Sequence, residues 1–210
     1  ETSGAGMMDC KKALEETNGN IDVAIDWLRT KGLATAAKKS SRVASEGLVA
    51  INVEGNSAAM IELNAETDFV SRNNDFQSLA LNLAKLANDA SDIASLNNLE
   101  FPNTKRTVAE EITHNIATIG ENMMLRRMKN IKVDKGSVVS YIHNATADGL
   151  GRIGVLVALE SDADAETLEG LGKQIAMHVA ATRPASLSVE SLDPEMVQRE
   201  RDVLIEQAKE

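Results

Sequence analysis

The chain has 210 residues, 43% of them hydrophobic and 26% charged, enough for a real core and more than one folding unit; such a composition excludes a disordered chain. A formal net charge of −10 sets the average surface against a nucleic-acid partner, and a single cysteine, Cys10, excludes an internal disulfide framework. No run approaches the ~18 apolar residues that cross a bilayer and no signal peptide is read, so the cytosol is the expected compartment.

Met7, Cys10 and Leu14 lie at i, i+3 and i+7 and predict one apolar stripe on a first helix. Asn18-Gly19-Asn20 should end it, because Asn and Gly accept left-handed backbone angles. Ile21, Ala24, Ile25 and Leu28 predict a second helix, with Lys31 in its last turn and Gly32 as its terminator. Two helices of this length bury too little apolar surface to fold alone, so a third helix upstream of Glu1 is expected. The opening on Glu rather than Met agrees with upstream residues having been removed or not included. Residues 34–45, rich in Ala, Lys and Ser, predict a helical or flexible connector. Its basic cluster of Lys38, Lys39 and Arg42 is short and has no aromatic beside it to stack bases.

The texture then becomes β-rich. Leu48–Val53 and Ala59–Asn64 flank the turn residues Glu54–Ser57, a hairpin signal. Helical spacing resumes at Phe76, Leu79, Leu83 and Leu86. Thr107 to Ile119 predicts a helix, Gly120-Glu121-Asn122 interrupts it, and Met123 to Val133 predicts a strand. The earlier order then recurs: strand-like Val138–His143, a turn-rich stretch from Asn144 to Gly151, strand-like Ile153–Leu159, an acidic loop from Glu160 to Glu166, and a helix carrying Leu168, Leu171, Ile175 and Val179. These four match Phe76, Leu79, Leu83 and Ala87 at a constant offset, which predicts an internal duplication in an α+β core, with antiparallel sheets covered by helices. Pro194 begins a charged helix with few apolar positions that leaves the core.

Between the first hairpin and its helix lies Ala65–Phe76, A-E-T-D-F-V-S-R-N-N-D-F. The chain holds three Phe, one Trp and one Tyr, and two of those five fall in this polar stretch. Phe69 is surrounded by Glu66, Thr67, Asp68, Arg72, Asn73 and Asn74. Such a ring either tucks onto its own core at a strand end or reaches into another molecule, and its hydrophilic neighbours favour the second.

Catalytic patterns are sparse. Cys10 lies on an apolar stripe, where a core thiol is the commoner reading than a nucleophile paired with His178. His114, His143 and His178 lack metal-ligand spacing, and Asp162, Asp164 and Glu166 lack the glycine and terminal glutamate of a calcium loop. Gly151-Arg152-Ile153-Gly154 precedes a strand rather than a helix, so it does not match a phosphate loop. No catalytic residue, metal site or cofactor is expected.

Three motifs carry a resemblance. Gly4-Ala5-Gly6-Met7-Met8-Asp9-Cys10-Lys11-Lys12-Ala13-Leu14, then Thr67-Asp68-Phe69-Val70, then Ile175-Ala176-Met177-His178-Val179-Ala180-Ala181 are similar to signatures of the bacterial elongation factor Ts family, in the right order and over essentially the whole chain. The resemblance implies a small ubiquitin-associated-like helical domain over residues 1–33 with its first helix absent, and a linker over 34–45. It further implies core subdomains over 46–135 and 136–193, the second partial, and the start of a coiled-coil arm over 194–210. It implies a guanine-nucleotide exchange factor that binds the GTPase elongation factor Tu, expels GDP and lets GTP enter, without binding nucleotide, nucleic acid or membrane itself. On that resemblance Asp68 and Phe69, with Val70 in the same motif, would wedge beside the partner's Mg²⁺ site. Met7, Met8 and Lys11 would contact its nucleotide-binding domain, and His178 would lie at the core's contact surface. Homodimerisation through the core or the coiled coil, and an organellar matrix as the compartment, stay open. The rival reading is a ubiquitin-associated-like peptide- or protein-binding module on a structural scaffold; an enzyme using Cys10 stands third.

Overall fold

The computed structural model describes residues 7–209. Helix α1 spans Met7–Glu16 and ends in the expected turn, where Asn18 and Gly19 take φ of 51° and 80° and the Gly19 N–H reaches the Leu14 carbonyl at 2.8 Å. Asn20 caps α2, its side chain accepting from the Val23 N–H at 3.1 Å. The stripe on α1 does not form the buried face: Met7 and Leu14 are exposed and Cys10 is half-buried. Ala13 and Ala24 are instead the fully buried residues of α1 and α2, so the helices meet through small side chains.

Helix α2 also fails to stop at Gly32; it spans Ile21–Lys39. A glycine in a helix interior costs about 1 kcal/mol, which a run of good helix formers and tertiary anchors offsets. Ala36 packs on the core, Arg29 pairs with Glu110, and the Lys39 ammonium donates to the Gly120 carbonyl. Both polar partners belong to or cap helix α5 (Val108–Ile119), so α2 is held along α5.

Strands β1 (Glu46–Glu54) and β2 (Ser57–Ala65) form the expected hairpin, in register from Glu46↔Ala65 to Glu54↔Ser57. Strand β3 (Met123–Lys132) adds antiparallel to β2, and β4 (Gly136–Ala147) pairs with β5 (Leu150–Glu160). The expectation of separate sheets is corrected here. The two hairpins join through Val49↔Gly151 and Ala50↔Leu150 into one antiparallel sheet of order β3-β2-β1-β5-β4. That junction gives partners to backbone groups that two separate hairpins would leave as open edges.

Helix α3 (Asn74–Leu86) lays Phe76, Leu79 and Leu83 on Leu48, Ile61 and Leu63 of the first hairpin. The short α4 (Ile93–Asn98) and α5 close this main core with Leu96, Val108 and Ile112. Helix α6 (Ala165–Thr182) covers β4 and β5, and α7 (Pro194–Gln207) starts with Asp193 as cap and Pro194 in its first turn and buries none of its side chains. Among the described residues no helix is long and apolar enough to cross a membrane.

The α6 face differs from expectation. Leu168 is 5% exposed, but Leu171 is 48% exposed, and the buried row is Leu168, Gly172 and Ala176. A Cβ on Gly172 would come within 2.6 Å of Val139 Cγ2, so at that point α6 approaches the sheet too closely for a larger side chain. At the constant offset these positions match Phe76, Ala80 and Ala84 of α3, all fully buried. The matching therefore holds, with the shared face rotated from the one expected. The hairpins carry the same signature. Gly47 and Gly136, at the starts of β1 and β4, take φ of 131° and 133°. At each, a Cβ would overlap the carbonyl oxygen of the paired strand, Leu63 and Leu159 respectively. Only glycine fits such a position.

Candidate partner-binding surface

The first copy joins its second strand to its helix through residues 66–73, where the second copy uses only 161–164. The same strand–helix step is thus made with half the chain in the second copy, and the longer connection carries the candidate site. It folds into a 3-10 turn over Val70–Arg72. Val70 is 7% exposed and joins the main core, and Ser71 is buried beside it. The Ser71 hydroxyl donates to the Asp68 carbonyl at 2.5 Å, and the Gln77 amide to the Ser71 carbonyl at 2.9 Å. The Arg72 N–H donates to the Phe69 carbonyl at 3.1 Å. Asn73 then caps α3, its side-chain oxygen accepting from the N–H groups of Asp75 (2.8 Å) and Phe76 (3.1 Å).

On this braced turn Phe69 is 78% exposed with unstrained angles of φ −62° and ψ −37°. Asp68 is exposed beside it, and its carboxylate makes no hydrogen bond or ion pair among the described residues. Burying a Phe would stabilise the fold by about 1.5–3 kcal/mol, so an outward ring on a fixed loop is a feature that folding alone does not favour. Val70, expected among the partner contacts, is turned inward instead. Consecutive residues of a tight turn point in different directions, so anchoring Val70 in the core is what leaves Phe69 outside.

The turn is gripped at its base. Glu121, in the connection between α5 and β3, accepts from the Thr67 N–H at 2.9 Å and from the Thr67 hydroxyl at 2.6 Å. Glu66 returns the arrangement, accepting from the Asn122 N–H at 2.6 Å. Arg42 lies 3.5 Å from the Glu66 carboxylate, and its carbonyl accepts from the Asn122 amide at 2.7 Å. Sequence reasoning missed this junction: Gly120-Glu121-Asn122 signals only a helix end, and its partners stand 54 and 56 residues away. No local pattern announces such a pairing.

The other expected residues lie on separate elements. Met7 and Met8 are 87% and 75% exposed at the start of α1, and Lys11 sits 3.7 Å from Glu15 on the same helix. His178 is exposed on α6 next to the exposed Met177; its carbonyl accepts from the Thr182 hydroxyl at 2.9 Å, and its ring makes no hydrogen bond or ion pair among the described residues. Residues 4–6 of the first motif fall outside the described residues. Helix α1 packs on α2, which runs along α5 near β3, whereas α6 covers β4 and β5. These other expected residues are thus outward apolar and charged groups spread across separate elements of the fold. Among the described residues no three His, Cys, Asp or Glu side chains are placed to hold a metal ion. His114 is half-buried on α5, and its pKa is lowered by burial and by nearby Arg106 against an opposing pull from Glu111.

Comparison with known proteins gives this surface a context. A family described as Elongation factor TS matches residues 66–210, starting at the braced turn. The elongation factor Ts of Rhizorhabdus wittichii is 57% identical over the full chain and 68% of its own length. The protein of that name from Methylorubrum populi is 55% identical over 98% of this chain and 68% of its own, and that of Gluconobacter oxydans 56% identical over the full chain and 70% of its own. With more than half its residues shared with these relatives and the family pattern covering residues 66–210, from the braced turn through the second hairpin to the end, this chain belongs to the elongation factor Ts family.

Proposed function

We propose that this chain is a translation elongation factor that binds elongation factor Tu and promotes exchange of GDP for GTP by disturbing the partner's Mg²⁺ and phosphate site. The observation that carries this reading is the exposed Phe69 beside an unpaired Asp68 on a turn fixed at both ends. An aromatic wedge and a carboxylate on a rigid support can displace the partner's loops and repel groups that order a cation and a phosphate. The bacterial relatives carry the elongation factor name, which supports a bacterial cytoplasm as the compartment in this reading.

Exchange of this kind needs binding free energy and no covalent step, cofactor or metal of its own. By linkage, a factor that weakens GDP binding has its own binding weakened by GDP in the same ratio. Speeding release about 10³-fold takes roughly 4 kcal/mol of preferential stabilisation of the release transition state. One buried Phe contributes about 1.5–3 kcal/mol, so Phe69 acts as a trigger within a wider interface. Met7, Met8, Lys11 and His178 are exposed and free to supply that interface. Release of fluorescent GDP from purified elongation factor Tu should accelerate when the chain is added. An unchanged rate at saturating chain would remove the proposal in favour of a plain binding module. Alkylating Cys10 should leave the acceleration in place.

A further inference from the structure

We propose that Glu121 is a positioning residue for exchange, setting the direction in which the Asp68–Phe69 turn points; the inference rests on the function proposed above. Its carboxylate is the common acceptor for both donors of Thr67, the residue immediately before the Asp68–Phe69 pair. Two oxygens binding an N–H and a hydroxyl of one residue fix its backbone direction as well as its place, which a single bond does not. The reciprocal bond from the Asn122 N–H to Glu66 closes the pairing, so the β2–α3 and α5–β3 connections each receive a carboxylate from the other.

A third segment enters the same junction. The Lys39 ammonium donates to the Gly120 carbonyl, Asn122 donates to the Arg42 carbonyl, and the Arg42 guanidinium faces Glu66. Arg42, just past the end of α2, sets a cation against the Glu66 carboxylate, while Lys39 ties the helix end to the Gly120 backbone. The end of the N-terminal helices is thereby fastened to the base of the wedge turn. Val70 and Gln77 hold the far side of the turn through the core and α3. Glu121 is the near-side hold. Without it, Val70 still anchors the turn, but the residues before Phe69 can swing, and the ring is presented in many directions instead of one. Geometry of this sort affects the rate of displacement more than the contact area, because the other interface residues sit on other elements.

The test is a cycle of variants read as GDP release from elongation factor Tu over a range of chain concentrations. Such a titration separates the saturating rate from the half-saturating concentration. Glu121→Ala is expected to lower the saturating rate about tenfold while moving the half-saturating concentration less than about threefold. Glu121→Gln, which keeps an acceptor for the Thr67 N–H, is expected to recover part of the loss. In a Phe69→Ala background the Glu121→Ala change is expected to alter the saturating rate by less than about twofold, since the group it aims is gone. A full tenfold loss in that background would overturn the inference, as would a change confined to the half-saturating concentration. If Phe69→Ala alone leaves the saturating rate unchanged, it is the underlying reading that fails, so the two failures are distinguishable. Thermal melts check folding. Should Glu121→Ala not fold, Thr67→Val removes the hydroxyl bond from the other end and runs through the same cycle with the same expected non-additivity.

Discussion

Phe69 and Val70 are adjacent, yet one is 78% and the other 7% exposed. The polar neighbours of Phe69 favour an outward ring, but nothing in the local pattern assigns Val70 to the core. The tertiary environment decides it, because the connection is eight residues long and Val70, not Phe69, reaches the core. The contrast predicts opposite effects on stability. Phe69→Ala should change the unfolding free energy by no more than about 0.5 kcal/mol, as surface substitutions do. Val70→Ala removes buried methyl groups and should destabilise by about 1.5–3 kcal/mol. Urea denaturation of the two variants checks this; a large loss from Phe69→Ala would mean that the ring supports its own fold.

At the scale of elements, the first hairpin, α3, β3, α5 and the start of α7 were legible because period-2 and period-3.6 patterns were bounded by turn or cap residues. Thr107 and Gly120 bracket α5 as a capping box and a left-handed C-cap. The missed features depend on contacts distant in sequence. Gly32 looks like a terminator, but α5 holds the helix on either side of it through Glu110 and the Gly120 carbonyl. The buried face of α6 is selected by closeness of approach, not by apolar bulk, and Gly172 is the residue that fits against Val139. The joining of the hairpins into one sheet rests on two residue pairs and has no sequence pattern of its own. Glycines of different kinds should therefore answer differently to alanine. A Cβ on Gly32 would meet Ala117 Cβ at 3.5 Å, an ordinary contact, so Gly32→Ala should stabilise the fold by about 0.5–1 kcal/mol. Gly136→Ala puts a Cβ onto the Leu159 carbonyl at a φ of 133° and should destabilise it by at least about 1–3 kcal/mol. Thermal melts showing the same sign for both would contradict this packing.

Across the whole molecule, charges bind the sheet and helices together, and the titration of one of them sets a pH response. Burial raises the pKa of Glu62, but hydrogen bonds from Arg127, Arg126 and Asn64 outweigh it and leave the carboxyl below its ordinary 4.5. A carboxyl with a lowered folded pKa adds stability above the unfolded value, and that stability is lost as pH falls through the folded value. The β2–β3 pairing should thus weaken below pH 4.5, and Glu62→Gln should lower Tm at neutral pH while approaching the parent chain in acid. A Tm difference that stays constant with pH would show that Glu62 is not a source of the acid sensitivity. The sheet so held, with α3 on its face, is the rigid support on which the functional reading depends. The most direct test is the saturating rate of GDP release from elongation factor Tu with Phe69→Ala, measured alongside the affinity of the two proteins. The wedge account predicts that most of the rate is lost while much of the affinity remains. Equal losses in rate and affinity would contradict it, leaving Phe69 as an anchor and the cause of release elsewhere.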